Sequence, residues 1–196
     1  MKPVDLIYPR IPLSTVGRIA ALTVAGALAG GFYGILHDQI TYTIGPEYFT
    51  RFKFDQFSYA RPATNSPRLF AGIIGFLASW WVGALTGWVL ARISVRRKGA
   101  LPPNGVFAKS FALVFATTMV AGVVGYTWGL YRRTTGYSDS WRDWMGDLGV
   151  IDEEAFMSVG YIHNASYIGG CVGMLFGILY LMRWWRNKGA EQAGSD

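Results

Sequence analysis

The sequence predicts an all-α integral membrane protein, a four-helix bundle whose two ordered outer loops contain short interfacial helices. Apolar residues make up 52% of the 196 residues and charged residues 15%, against about 25% charged residues in typical soluble domains. The apolar residues are gathered into four blocks, each long enough to cross about 30 Å of hydrocarbon, which takes roughly 20 residues. We therefore expect a single transmembrane domain over residues 1–196.

The first block is predicted to be an uncleaved span. Ala27-Leu28-Ala29 resembles a signal-peptide cleavage site, but the preceding leader carries Asp5 and prolines, and the apolar run continues through Leu36. The four predicted spans cover about 17–36, 69–93, 108–131 and 161–182, with outer loops at 37–68 and 132–160.

Charge predicts the orientation of these spans. The two termini and the link between the second and third spans hold 11 of the 18 basic residues, whereas the outer loops hold 9 of the 12 acidic residues. Lys and Arg are retained on the cytoplasmic side, so both termini are predicted to be cytoplasmic. This topology accounts for the net charge of +6 without a nucleic-acid partner, and leaves the lipid bilayer as the first partner.

Both outer loops contain short amphipathic segments. Pro46 suits a first helical turn, and the aromatic residues after it share one face. The second loop places Trp141 and Trp144 on a similar stripe, before Asp152 as a helix N-cap. Aromatic residues favour the headgroup region, so the simplest interpretation of both loops is an aromatic belt.

Glycines recur at every fourth position in the apolar blocks. Such small residues let helix backbones approach closely in lipid, within one chain or between chains, whereas Leu22 and Leu181 are expected to face lipid. The predicted packing residues are Gly26, Gly30, Gly34, Gly83, Gly87, Gly125, Gly129, Gly169, Gly173 and Gly177.

The spacing of these glycines also suggests an internal repeat of two helical hairpins. A shift of about 95 residues aligns Gly30 with Gly125, and a shift of about 90 aligns Gly83 with Gly173. Both hairpins begin on the same side, so this repeat is predicted to be parallel rather than inverted.

The two histidines of the chain fall near glycine faces at the outer ends of two spans. At 100° per residue, His37 continues the glycine face of the first span. His163 lies at the edge of the glycine face of the fourth span. We expect the two side chains to lie near each other. The interpretations left open are hydrogen-bonded helix ends, a metal or bis-histidine haem site, and a polar binding or proton-coupled site. The candidate residues are His37, Asp38, Gln39, Tyr42, Glu47, Tyr48, His163 and Asn164.

Several strings resemble a family of uncharacterised bacterial multi-pass membrane proteins. They are Y-G-x-x-H-D-Q-I-T-Y at 33–42, P-E-Y-F-T at 46–50 and A-S-W-W-V-G at 78–83. The resemblance covers roughly residues 25–90 and implies a bacterial cytoplasmic membrane. It implies no activity.

The sequence favours a non-enzymatic function. It contains no nucleophile elbow, P-loop, dinucleotide fingerprint or zinc motif, and predicts no catalytic residue and no particular cofactor or metal. The first hypothesis is an accessory or assembly subunit that packs against a membrane-protein partner or a second copy through glycine faces. The alternatives are small-solute or ion binding or transport around His37 and His163, and a bis-histidine haem or metal protein.

Overall fold

The computed structural model describes residues 13–98 and 101–193. Within these ranges the chain is helical without strands, so the predicted all-α class and its four long apolar helices are confirmed. The five helices of eight or more residues are α1 (Leu13–Ile44), α2 (Pro67–Lys98), α3 (Asn104–Thr135), α4 (Asp139–Asp147) and α5 (Glu153–Ala193).

The four long helices fit an integral membrane protein. Each has an 18-residue window of mean hydropathy between 1.7 and 1.8. Large apolar side chains also point away from the protein, as they do for Phe32 on α1, Val120 on α3 and Ile168 on α5, each at least 60% exposed. Such exposure is unfavourable in water and normal against lipid tails.

The helices extend beyond the predicted spans into the segments that were predicted as outer loops. Helix α1 runs through His37 to Ile44, because its polar residues are accommodated along the helix: the Thr41 hydroxyl donates to the His37 carbonyl at 3.0 Å. It ends before Pro46, which disfavours helical geometry at the residue preceding it. The basic residues Lys2 and Arg10, used to predict orientation, lie outside the described residues.

Most of the packing between helices occurs within two antiparallel hairpins, α1 with α2 and α3 with α5. All ten predicted packing glycines lie at these two seams. A Cβ added to Gly30 would lie 2.9 Å from Gly83 Cα, and one added to Gly173 would lie 2.8 Å from Val114 Cα. Helix backbones at such short distances leave no room for a side chain between them. The glycines therefore pack helices together within the chain.

Two sequence-based expectations about this packing are wrong. Leu181 does not face lipid: it is fully buried in a core cluster with Ile19 and Leu90, near the start of α1. The repeat also fails at residue level, because Gly30 faces Gly83 whereas its proposed counterpart Gly125 faces Tyr161. The two hairpins therefore have similar glycine spacing, but the residues that face each other across the two helices differ between them.

The outer segments fold onto the ends of the long helices. A short helix begins at Pro46 as predicted, followed by a π-helical turn over Phe49–Lys53, and Asp152 caps α5 by accepting the Ala155 N–H at 2.9 Å. Tyr48 and Phe49 are at most 6% exposed and join a core cluster with α5. The expectation of an aromatic belt is wrong for these two residues, which face the protein interior.

Candidate functional site

A triad of His37, Asp38 and His163 joins the two hairpins at the end of the bundle where α1 ends and α5 begins; Asp38 and His163 are buried and His37 is partly buried. Asp38 Oδ1 lies 3.0 Å from His37 Nδ1 and 3.3 Å from His163 Nε2. The two imidazole rings meet edge to face with their centroids 4.7 Å apart. The predicted juxtaposition of the two histidines is thus confirmed, and one carboxylate oxygen contacts a nitrogen of each ring.

Hydrogen bonds orient both rings. The Val159 carbonyl lies 3.0 Å from His163 Nδ1; since a carbonyl only accepts, Nδ1 carries the proton and Nε2 is left facing Asp38. His37 has a matching arrangement, with Nδ1 towards Asp38 and Nε2 3.4 Å from the Ser166 hydroxyl. Each ring therefore has a defined orientation towards the same carboxylate oxygen.

Aromatic side chains shield the triad. The Tyr48 ring packs on His163 at 4.9 Å and the Tyr33 ring packs beside His37 at 5.7 Å. Burial raises the pKa of the Tyr48 phenol above its usual value, so this residue is neutral at physiological pH. The triad is consequently a polar cluster enclosed by apolar walls, where electrostatic interactions are strong.

Known proteins do not resolve what this cluster does. Comparisons with protein-family models, curated proteins and solved structures find no match. The family resemblance of residues 25–90 therefore stays an expectation, and the case for function depends on the geometry.

Four of the predicted site residues lie away from the triad. Gln39 donates to the Arg68 carbonyl at 2.9 Å, Tyr42 packs on Phe49, and Asn164 is exposed. Glu47 instead accepts the N–H groups of residues 151 and 152 and so joins the two outer loops. Of the eight candidates, the structure brings together His37, Asp38, Tyr48 and His163.

The triad lines one end of a cavity of about 480 Å³ between the two hairpins. Its walls come from all four long helices and are mostly apolar; α3 contributes Phe111 and Phe115, and α2 contributes Val82 and Leu85. A volume of this size is within the range of small-molecule sites. The triad thus forms the polar end of an apolar chamber.

Lys53 also lines this cavity, and sequence analysis missed it. It lies in the π-helical turn, is 8% exposed, and places Nζ 5.1 Å from the centre of the Phe52 ring. Burial lowers the pKa of its ammonium group, while the Asp38 carboxylate acts in the opposite direction. The one signal in the sequence was the position of this lysine between two aromatic residues, Phe52 and Phe54. The π-turn itself, a feature frequent at functional sites, is not evident from residue spacing.

Proposed function

We propose that this chain is an integral membrane protein that binds a divalent transition-metal ion through His37, Asp38 and His163. The ligand set draws on both hairpins: two residues of α1 and one of α5. This proposal follows the sequence-based alternative of an ion-binding site around the two histidines.

The observation that carries the proposal is the contact between Asp38 Oδ1 and His163 Nε2 at 3.3 Å. With the His163 Nδ1 proton directed to the Val159 carbonyl, a neutral ring and an ionised carboxylate would present two lone pairs to each other. A cation between them removes this repulsion. That cation is either a proton or a metal ion.

The donor set suits a metal ion. Two imidazoles and a carboxylate are ligands for zinc, iron and related divalent ions, and one ligand atom from each residue lies within 4.8 Å of the others. Two atoms each about 2.0–2.1 Å from a tetrahedral zinc ion lie roughly 3.4 Å apart, close to the 3.0 and 3.3 Å that separate Asp38 Oδ1 from the two imidazole nitrogens. The Val159 carbonyl also supplies the outer hydrogen bond typical of metal-binding histidines.

The geometry disfavours the haem alternative. Two axial imidazoles place their ring centroids roughly 6 Å apart on opposite faces of a porphyrin. Here the centroids are 4.7 Å apart in an edge contact, and Asp38 Oδ1 lies within 3.3 Å of a nitrogen of each ring. A porphyrin plane does not fit in that space.

Metal content of the purified protein tests the proposal. The chain is isolated in mild detergent through an affinity tag without histidine, loaded with Zn²⁺ or Co²⁺, desalted and analysed by elemental mass spectrometry. We expect about one ion per chain, together with visible absorption from bound Co²⁺. His163→Gln and Asp38→Asn should each lose at least 90% of the metal, since outer-shell changes alone already cost roughly 10–100-fold in affinity.

Two matched variants control for indirect effects. Asn164→Ala removes an exposed polar group next to His163, and Cys171→Ser removes the exposed thiol; both should retain the metal. A folded wild-type chain without stoichiometric metal after loading would mean that the triad holds a proton instead. Metal retained by both site variants would place the ion elsewhere.

The accessory-subunit hypothesis stays a prediction. It depended on glycine faces for contact with a membrane-protein partner or a second copy, but those glycines pack within the hairpins. We further propose the cytoplasmic membrane of a bacterium, with both termini cytoplasmic, as the setting, supported by the charge distribution and the family resemblance.

A further inference from the structure

The cavity beneath the triad has a polar end, an apolar body and a side opening. Its floor is formed by Thr86 and Met174, which are in contact between α2 and α5. On the side between α1 and α3, the rings of Tyr33 and Phe115 stack at 5.7 Å and close the wall. The body is therefore a chamber that ends within the bundle.

The opening lies between α2 and α5. Trp81 and Leu85 of α2 and Tyr167 of α5 line the cavity and are also 44–54% exposed on the outer surface. Because these residues belong to membrane-spanning helices, that surface faces lipid. A molecule dissolved in the bilayer thus reaches the cavity without crossing water.

Lys53 is the cation at the polar end. Its Nζ donates to Gln56 Oε1 at 3.0 Å, and within residues 13–98 and 101–193 no carboxylate lies within 4.0 Å of it. A buried ammonium without a counter-ion is costly to keep charged. An anionic group in the cavity would satisfy it.

We propose that the cavity binds a single-chain amphipathic carboxylate, with the head group paired to Lys53 and the apolar chain in the chamber. This inference rests on Lys53 and the cavity, not on a metal ion at the triad. A methylene group is about the size of a water molecule, whose share of liquid volume is about 30 Å³. A chamber of about 480 Å³ accordingly holds one chain of roughly 16 carbons.

The chemistry of the polar end selects the head group. Phosphate sites usually supply arginine forks or several backbone N–H groups, whereas this end offers the single ammonium group of Lys53. The nearby Asp38 carboxylate, which also lines the cavity, would repel a doubly charged phosphate more than a carboxylate. A monoanion is the better match.

Retention of radiolabelled palmitate on the purified protein in lipid nanodiscs tests this site, and it is measured both with and without a chelator. We expect about one saturable palmitate per chain. Hexadecanol should compete at least about tenfold more weakly, because it lacks the charge. Loss of palmitate on chelation would place the head group on a metal ion and overturn the role of Lys53, whereas the metal proposal is tested separately by elemental analysis.

Two variants separate the head group from the chain. Lys53→Met keeps the side-chain stem and should weaken palmitate binding at least about tenfold, while Lys109→Met, at an exposed lysine, should not. Gly170→Leu should block the chamber, because Gly170 lines it. The fold should tolerate this change, because an added Cβ there meets only Thr118 Oγ1, at 3.7 Å. Gly105→Leu, where an added Cβ meets nothing within 4 Å, is its control.

Three outcomes would overturn the proposal. The first is undiminished palmitate binding by Lys53→Met, and the second is undiminished binding by Gly170→Leu when both proteins melt as single folded species. The third is stronger competition by hexadecyl phosphate than by palmitate, which would assign a phosphate head group instead.

Discussion

Asp38 shows how one side chain organises a whole end of this protein. Its carboxylate is 5% exposed and contacts a histidine from each hairpin, so it links two halves that otherwise share few contacts. A buried carboxylate is costly unless it is paired and hydrogen-bonded. The two imidazoles and any cation between them supply that pairing.

Glu47 has an equivalent role between the outer loops. Its Oε2 accepts the backbone N–H groups of Ile151 and Asp152 at 3.0 and 2.7 Å, just before α5 begins. We expect Glu47→Ala to lower the free energy of unfolding by about 1–3 kcal/mol, because both donors lose a charged acceptor. Thermal melting by circular dichroism measures the loss, and amide exchange at residues 151 and 152 should accelerate. The exposed Asp55→Ala is the control; equal melting temperatures for both variants would contradict this role.

Lys53 gives a pH-dependent prediction for protein freed of bound lipid. Burial lowers the pKa of Lys53 in the folded state below its unfolded value of 10.5. The folded state therefore binds this proton less tightly, and the free energy of unfolding is reduced at any pH where the group is charged in both states. That penalty is complete below the folded pKa and fades as the pH rises through 10.5. Lys53→Met should therefore raise Tm at pH 7 by roughly 2–4 °C, which corresponds to a gain of about 1 kcal/mol in the free energy of unfolding.

The dependence on pH provides the check on this effect. The difference in Tm between Lys53→Met and the wild type should shrink as melts are repeated at increasing pH up to about 10.5. A difference that stays constant with pH would mean that the methionine acts through packing and not through charge. Lys109→Met, at an exposed site, should change Tm little at any pH.

At the level of elements, sequence patterns predicted the long helices well and the polar segments poorly. Apolar blocks report the hydrocarbon thickness, so they located four helices but not their continuation through His37 to Ile44, where polar residues bond to their own helix. Helical angles placed both histidines correctly towards protein. They could not place Lys53, because a π-turn changes the angle between successive residues. Nor could they show that Tyr48 packs on the triad and Tyr42 does not, because this difference depends on tertiary packing.

The glycine seam of the first hairpin leads to a packing prediction. An added Cβ at Gly30 would lie 2.9 Å from both Gly83 Cα and the Ser79 carbonyl oxygen, so a larger side chain must separate α1 from α2. We expect Gly30→Leu to destabilise the protein by about 1–3 kcal/mol or more, measured as Tm in detergent. Ala25→Leu makes a similar enlargement at an exposed position of α1 and should be nearly neutral. Comparable losses in the two variants would show that the seam is not specially tight.

The whole molecule is two hairpins whose outer segments and triad hold them together, and its orientation is a separate prediction. Single cysteines are placed at Asp55 on the outer side and Lys188 near the end of α5, in a Cys171→Ser background. Since basic residues are retained in the cytoplasm, an impermeant thiol reagent added outside intact cells should label position 55 and spare position 188. Labelling of position 188 alone would reverse the orientation.

The division of the triad between hairpins has a consequence for biogenesis. Residues 13–98 contain His37 and Asp38 with one complete glycine seam, and residues 101–193 contain His163 with the other. We therefore expect each half to insert and pack by itself, whereas the three ligands of the proposed site are divided between the halves. The proposed cation site would arise only when the halves associate, and an incompletely assembled chain would leave Asp38 in the membrane without His163. Co-expression of the halves as separate polypeptides should restore what neither has alone.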